Sequence, residues 1–242
     1  MRPIKVERQA AFVLHTRPYR ETSLVLEAMT RDYGRVALVA KGVRRPRSAM
    51  RGVLMAFQPL EMTWSGKGEV VTLHHAEWQG GQPLLQGRAL LCGYYLNELL
   101  LNLLPREDAH EQVFDHYSKT LVALTASTAP DAAFFSACLR SFEKRLLGEL
   151  GYGLMLSHDT SGEAIRPQRR YLYEMESGPR VVADSSAAGT ISGKTLLDMD
   201  AESFGDPVSL AESKQLMRSL MAFYLNGRQL HSRRLFEDLT DL

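Results

Sequence analysis

Apolar and polar residues alternate through the first 80 positions and then switch to a spacing of three and four. The chain therefore predicts a strand-rich start followed by helices. AAFVLHTR (10–17), SLVLEAMT (23–30) and GRVALVAKG (34–42) read as strands separated by the turn chemistry of PYRETS and of Asp32-Tyr33-Gly34. In the third run Val36, Leu38 and Ala40 alternate with Ala37 and Val39, a pattern of a strand buried on both faces or lining a small barrel. AFQPLEMTW (56–64) and GEVVTLHHAEW (68–78) flank a short Gly-rich turn and predict a hairpin. Five short strands without crossover helices fit a small Greek-key barrel of the OB type, and an SH3-like barrel fits the count nearly as well. The segment VRRPRSAMRG (43–52) carries Pro46, which breaks any ladder, and predicts a loop or a short helix.

Gly80-Gly81-Gln82-Pro83 marks the change of period and predicts a boundary between a first domain, 1–80, and a second, 81–242. Helices are expected over 84–104, stopped by Pro105, over 110–127 and over 131–150. The last places Phe135, Leu139, Phe142, Leu146 and Leu150 on one stripe and ends at Gly151 as a C′ residue. Residues 151–193 lose this order. They hold six glycines, strand-like stretches at 169–176 and 180–184, and the small-residue run SSAAGTISG. Helices resume at 194–202 and 209–226, with a short one near 232–240. The fold class is thus α+β, a barrel followed by a helical bundle with an inserted module at 151–193.

Composition narrows the function classes. Of 242 residues, 45% are hydrophobic and 24% charged, values of a globular chain. No uncharged apolar run reaches the length of a membrane span, and MRPIKVERQA lacks the apolar core of a secretory signal. Two cysteines, Cys92 and Cys138, make neither a disulfide framework nor a four-cysteine metal site, so a reducing cytoplasm is the expected compartment. The net charge of +1 hides an asymmetry. Residues 1–80 carry 13 Lys and Arg against 7 Asp and Glu, and the remainder carries 16 against 21. Between Asp32 and Glu61 there is no acid, while Arg35, Lys41, Arg44, Arg45, Arg47 and Arg51 all fall there. A charge run is usually a solvated loop. Here the lack of neighbouring acids, the Pro-containing loop and the barrel context favour binding to nucleic acid through its phosphates. Tyr33 and Phe57 are candidates either for base stacking or for barrel core.

Other candidate chemistry is thinner. Gly189, Gly193, Lys194 and Thr195 approximate a phosphate-binding P-loop but have three residues between the glycines where the motif needs four, and Ser192 reads better as a helix N-cap. In a regular strand His75 and Glu77 share a face and His74 points the other way, too few ligands for a metal. Cys92 and Cys138 read as core residues. Arg140 and Lys144 lie one turn apart on a helix with Glu143 nearby. They are either a surface ion pair or a basic rim suited to an acidic peptide ending in a hydrophobic residue. No catalytic constellation is recognisable. Two readings from other classes stand beside nucleic-acid binding: a protein-interaction scaffold whose basic loop holds an acidic partner, and a nucleotide-dependent enzyme built on Lys194.

Longer stretches carry a resemblance. Residues 11–48, with VL-x-x-R-x-x-x-E-x-S and AKG-x-R-R, together with YLNELL (95–100), FEKRLLGELGYG (142–153) and LHSRRLF (230–236), resemble in order the segments of the RecO family of bacterial recombinational repair proteins. The resemblance implies an N-terminal OB fold and a helical domain. It implies binding and annealing of single- and double-stranded DNA, and help for the RecA recombinase on DNA coated by single-strand-binding protein. The implied partners are RecR and the acidic C-terminal tail of single-strand-binding protein, held by the helical region, with RecF as a further candidate; the implied location is the cytoplasm, at the nucleoid. By position, AKG-x-R-R gives Lys41, Arg44 and Arg45 as DNA contacts; Arg35, Arg47 and Arg51 are added on charge. Arg140 and Lys144 are the candidates for the tail. Some family members carry a four-cysteine zinc module in the inserted segment. Residues 151–193 contain no cysteine, so no metal or cofactor is expected, and packing through Tyr171, Leu172 and Val181 is expected to hold the segment instead.

Overall fold

The computed structural model describes residues 4–126, 131–183 and 189–232. They form two compact units, 4–126 with 230–232, and 131–229.

In the first unit, β1 (Ile4–Tyr19), β2 (Ser23–Thr30), β3 (Gly34–Ala40), β4 (Leu60–Gly66) and β5 (Val70–Trp78) close into a barrel in the order β1-β2-β3-β5-β4. Every pairing is antiparallel except β3 with β5, where Ala37–Ala40 run parallel to Val70–Leu73. That order is the OB fold rather than an SH3-like barrel. β1 is longer than the sequence pattern suggests because it serves two neighbours: residues 11–19 pair with β2 and residues 4–11 with β4. A bulge between Val6 and Gln9 bends it, with Arg8 at φ +53° and its N–H donating to Thr63 Oγ1 at 3.2 Å. β4 starts later than expected, because Phe57 takes a φ of +66° and Pro59 follows it.

Alternation fills the barrel. Ala11, Val13, Leu26, Leu38, Leu60, Met62 and Leu73 point inward and are buried. The unbroken apolar run of β1 has a second cause. Phe12 and Leu14 face outward and are covered in turn. α1 (Gly87–Leu103) and α2 (Glu111–Ala126) lie against that outer face. Phe12 packs its ring 5.3 Å from Phe114 and 5.2 Å, edge-on, from Tyr117. The Asn97 side chain donates to the Leu14 carbonyl at 2.8 Å and accepts from the Tyr117 hydroxyl, so the buried polar atoms are partnered. Burial pushes the Tyr117 phenol well above its usual range. Glu98 of α1 receives the N–H groups of His231 (2.7 Å) and Ser232 (2.9 Å) and the Ser232 hydroxyl. One carboxylate thereby fastens residues 231 and 232 to α1. The terminal helix expected near 232–240 lies outside the described residues, apart from position 232 itself.

In the second unit, α3 (Ala132–Glu149) starts at Asp131, whose carboxylate accepts from Phe134 N–H at 2.8 Å. It ends in a Schellman arrangement, Gly151 N–H to Gly148 O at 3.1 Å and Tyr152 N–H to Leu147 O at 2.8 Å. Of its expected stripe, Phe135, Phe142 and Leu146 are buried, while Leu139 and Leu150 are half-buried. The inserted segment forms β6 (Arg170–Glu174), β7 (Gly178–Val181) and β8 (Thr190–Ser192), an antiparallel sheet in the order β7-β6-β8. Tyr171 anchors it, 1% exposed, with its hydroxyl accepting from Arg166 N–H at 2.9 Å. Leu172 and Val181 are only half-buried. Ahead of the sheet, Asp159 closes a tight loop by accepting from the N–H groups of Ser161 (2.9 Å) and Glu163 (3.0 Å). Ser192 caps α4 (Gly193–Asp200) by accepting from Thr195 N–H at 3.0 Å, and Asp206 caps α5 (Pro207–Tyr224).

Candidate nucleic-acid interface

The basic segment after β3 is a chain of turns. N–H to O bonds recur from Arg45 to Gly42, from Ser48 to Arg45 and from Arg51 to Ser48, at 3.0–3.1 Å. Its apolar residues fix it: Val43 is buried, and Met50, Val53 and Leu54 pack against the barrel core. The cations are left outward, and Lys41, Arg44, Arg45, Arg47 and Arg51 are all exposed. None of the five makes an ion pair among the described residues.

This loop is tied to the β1–β2 hairpin. Arg44 N–H donates to Thr22 O at 2.8 Å, and Gly42 N–H to Ser23 Oγ at 3.3 Å. The sequence pattern predicts a strand as far as Arg17 and a turn over PYRETS there, and residues 15–21 are all exposed. Arg17 and Arg20 add two more cations without ion pairs among the described residues, and the Arg20 guanidinium sits 5.1 Å over the Tyr19 ring. The signal was available in HTRPYR, where basic and aromatic residues interleave as single-strand binding surfaces require. Together the two loops gather seven cations and an exposed tyrosine at one end of the barrel.

Arg35 does not join them. The premise that the acid-free stretch leaves its cations unpaired fails at this residue. Across the β2–β3 ladder Glu27 lies diagonally opposite, and Arg35 Nη1 reaches its Oε2 at 3.0 Å with both side chains 15% exposed. Arg35 Nε also donates to Leu104 O at 3.1 Å, at the C-terminus of α1, where a cation is favoured. Arg106 pairs with the other oxygen of Glu27. Arg35 therefore joins strand to helix instead of presenting charge.

Arg140 and Lys144 also take a form other than an open basic rim. Arg140 is 7% exposed and forks onto Glu143, which is fully buried. Lys144 Nζ donates to Asp200 O at 2.5 Å and lies 3.9 Å from Glu202. Of the two aromatics, Phe57 is core, edge-on to Tyr94 at 5.2 Å, whereas Tyr33 is exposed and rests on Trp64 at 5.6 Å.

The lesser candidates resolve into structure. Lys194 is held by Asp198 at 2.5 Å and Asp206 at 2.7 Å, and a Cβ at Gly193 would lie 2.1 Å from Arg166 O, so both P-loop-like residues serve packing. Thr63 pairs with His75 and Trp64 with Leu73, which leaves His74 as an extra residue. The bulge corrects the alternating assignment: His74 and His75 are both exposed, His74 beside Ser65 Oγ at 2.6 Å and His75 3.8 Å from Glu77. Among the described residues no group of three or more His, Cys, Asp or Glu is placed to hold a metal, and no helix is long and apolar enough to cross a membrane. Cys92 is buried, and burial pushes the thiol of Cys138 up, which leaves it a poor nucleophile.

Comparison with known proteins covers nearly the whole chain. Residues 1–81 match the family model described as recombination protein O, N terminal, and residues 84–234 match its C-terminal counterpart. The chain is 58% identical over 239 residues to a DNA repair protein RecO of Dechloromonas aromatica, covering 98% of each. It is 53% identical to the proteins of that name from Azoarcus sp. strain BH72 and Aromatoleum aromaticum, with 98% of this chain covered in both.

Proposed function

Because the chain belongs to the RecO family of DNA repair proteins, we propose that it is a non-enzymatic recombination mediator that binds DNA through the hairpin and basic loop at one end of its barrel. The observation that carries this is the set of exposed cations, Arg17, Arg20, Lys41, Arg44, Arg45, Arg47 and Arg51, on two loops bonded to each other. Such a surface neutralises phosphates, giving affinity that depends on salt and little on sequence. Annealing needs no bond chemistry. A cationic surface that holds two strands lowers their repulsion and raises their local concentration, and base pairing completes the step.

In this reading the protein works in the cytoplasm with RecR, and with RecF as a further candidate, to place RecA on DNA coated by single-strand-binding protein. The acidic tail of that protein is the second ligand. What supports Arg140 and Lys144 as its contact is the family resemblance and their place on α3. The test is annealing of two complementary oligonucleotides, one carrying a donor dye and one a quencher. It is run on naked strands, on strands coated with single-strand-binding protein, and on strands coated with that protein lacking its tail. Faster annealing of naked strands, with a tail-dependent effect on coated ones, is the expected result. No acceleration on naked strands removes the annealing mechanism and leaves the scaffold reading in front.

A further inference from the structure

The basic loop does not lie flush against β2. A pocket of about 320 Å³ opens there, floored by Leu24, Val43, Met50 and Leu54 and rimmed by Arg44 and Arg51. Its volume is at the low end of the ~300–1,000 Å³ of small-molecule sites. Gly52 forms part of its wall, and nothing lies within 4 Å of where a Cβ on it would be. Leu24, Met50 and Leu54 are only partly buried, which leaves apolar surface facing water between two arginines.

We propose that this pocket takes one unstacked nucleobase of a single strand, with the phosphates on either side of it held by Arg44 and Arg51. The inference rests on the DNA reading above and adds to it a site that duplex DNA cannot fill. The apolar floor suits the face of a base, and the planar guanidinium groups can both stack on a ring and bind phosphate. A peptide with a hydrophobic end and a terminal carboxylate would also match a pocket of this kind. The charge distribution favours the nucleic acid. Seven cations without ion pairs among the described residues spread over two loops, and a single carboxylate would engage only the pair at the rim. A repeating polyanion uses them all. Tyr19, exposed on the neighbouring hairpin, offers a platform for a further base. Single strands are then held with one base out of the stack, and pairing with a complement withdraws that base and releases the site.

Fluorescence anisotropy tests this with an oligothymidylate of about 16 nucleotides, the upper end of what one OB fold covers, and the same sugar-phosphate chain without bases. The protein should bind the oligothymidylate about fivefold or more tighter, the least that one stacked base contributes. Met50→Trp, which fills the pocket, should erase most of that difference. A far-ultraviolet circular dichroism spectrum and a melting temperature close to the parent's show the variant to be folded. As a check on unaltered protein, a fluorescent aminopurine within the strand should become shielded from acrylamide quenching. Equal affinity for the two chains, or a difference that survives Met50→Trp, overturns the pocket while leaving the DNA reading intact. Binding of neither chain overturns both. An acidic peptide ending in a hydrophobic residue that binds the unaltered protein but not Met50→Trp, together with equal affinity for the two chains, reassigns the pocket to a protein partner.

Discussion

Gly34 turns the chain between β2 and β3 with φ at +65°, and a Cβ there would sit 1.9 Å from the carbonyl oxygen of Asp108. Neither the backbone conformation nor the neighbouring main chain accommodates a methyl group. Gly34→Ala should lower stability by about 2–4 kcal/mol, strain and overpacking together, read as a lower urea midpoint; a change below about 0.5 kcal/mol, the size of an ordinary surface substitution, would contradict that account. Arg35, next in the chain, braces β3 against α1. It holds Glu27 and the end of α1, so Arg35→Ala should destabilise the first unit by about 1.5–3 kcal/mol and leave DNA binding by the folded protein unaltered. Its proximity in sequence to Lys41 and Arg44 concealed this. Position along the chain placed it in an acid-free stretch, but Glu27 meets it across a strand pairing whose register no local pattern reveals. Arg17, Tyr19 and Arg20 are legible as an interleaved basic and aromatic run, but no local pattern reveals the hydrogen bonds from Arg44 to Thr22 and from Gly42 to Ser23 that set them beside the basic loop.

At the scale of elements, alternation and the three-to-four spacing located the five barrel strands and the five described helices, because each buries one face on a core. They failed where a second neighbour or a small side chain was involved. The start of β1, IKVERQ, has charged residues on its open side, and β8 is built from Thr190, Ile191 and Ser192 inside a run of small residues. β8 is held instead by Glu212 of α5. That carboxylate accepts from Ser192 N–H at 2.9 Å, Thr195 Oγ1 at 2.6 Å and Arg170 Nη1 at 2.5 Å, linking the sheet with α4 and α5. Burial works to raise its pKa, and these hydrogen bonds outweigh it and hold the group below the usual carboxylate range. Glu202, partly buried beside Arg145 and Ser141, and Asp206, bonded to Lys194, are held low as well. A depressed carboxylate contributes stability above its unfolded pKa and loses it as pH falls through the folded one. The melting temperature should therefore drop on acidification below about pH 4.5, and Glu212→Gln should flatten that drop while lowering stability at neutral pH. A melting temperature as steep in pH for the variant as for the parent would show that Glu212 is not the link.

Over the whole molecule, the charge asymmetry visible in the sequence has a structural counterpart. The excess of cations in residues 1–80 collects at one barrel end, where Lys41, Arg44, Arg45, Arg47 and Arg51 point outward from a loop whose apolar residues pin it down. The helical region is net acidic, and Arg140 and Lys144 there are already engaged by Glu143 and Asp200. On the proposed reading the polyanion therefore binds the barrel. The direct measurement is single-stranded DNA affinity by fluorescence anisotropy over a salt series, for the parent chain, for a variant with Arg44, Arg45, Arg47 and Arg51 all changed to Ala, and for Arg35→Ala. Each phosphate neutralised on a single strand contributes about 0.7 to the slope of log affinity against log salt. The fourfold variant should bind more weakly at every salt concentration, with a slope shallower by about 3, while Arg35→Ala keeps the parent slope. A fourfold variant that retains the parent affinity and slope would place the DNA elsewhere on the protein and contradict the account.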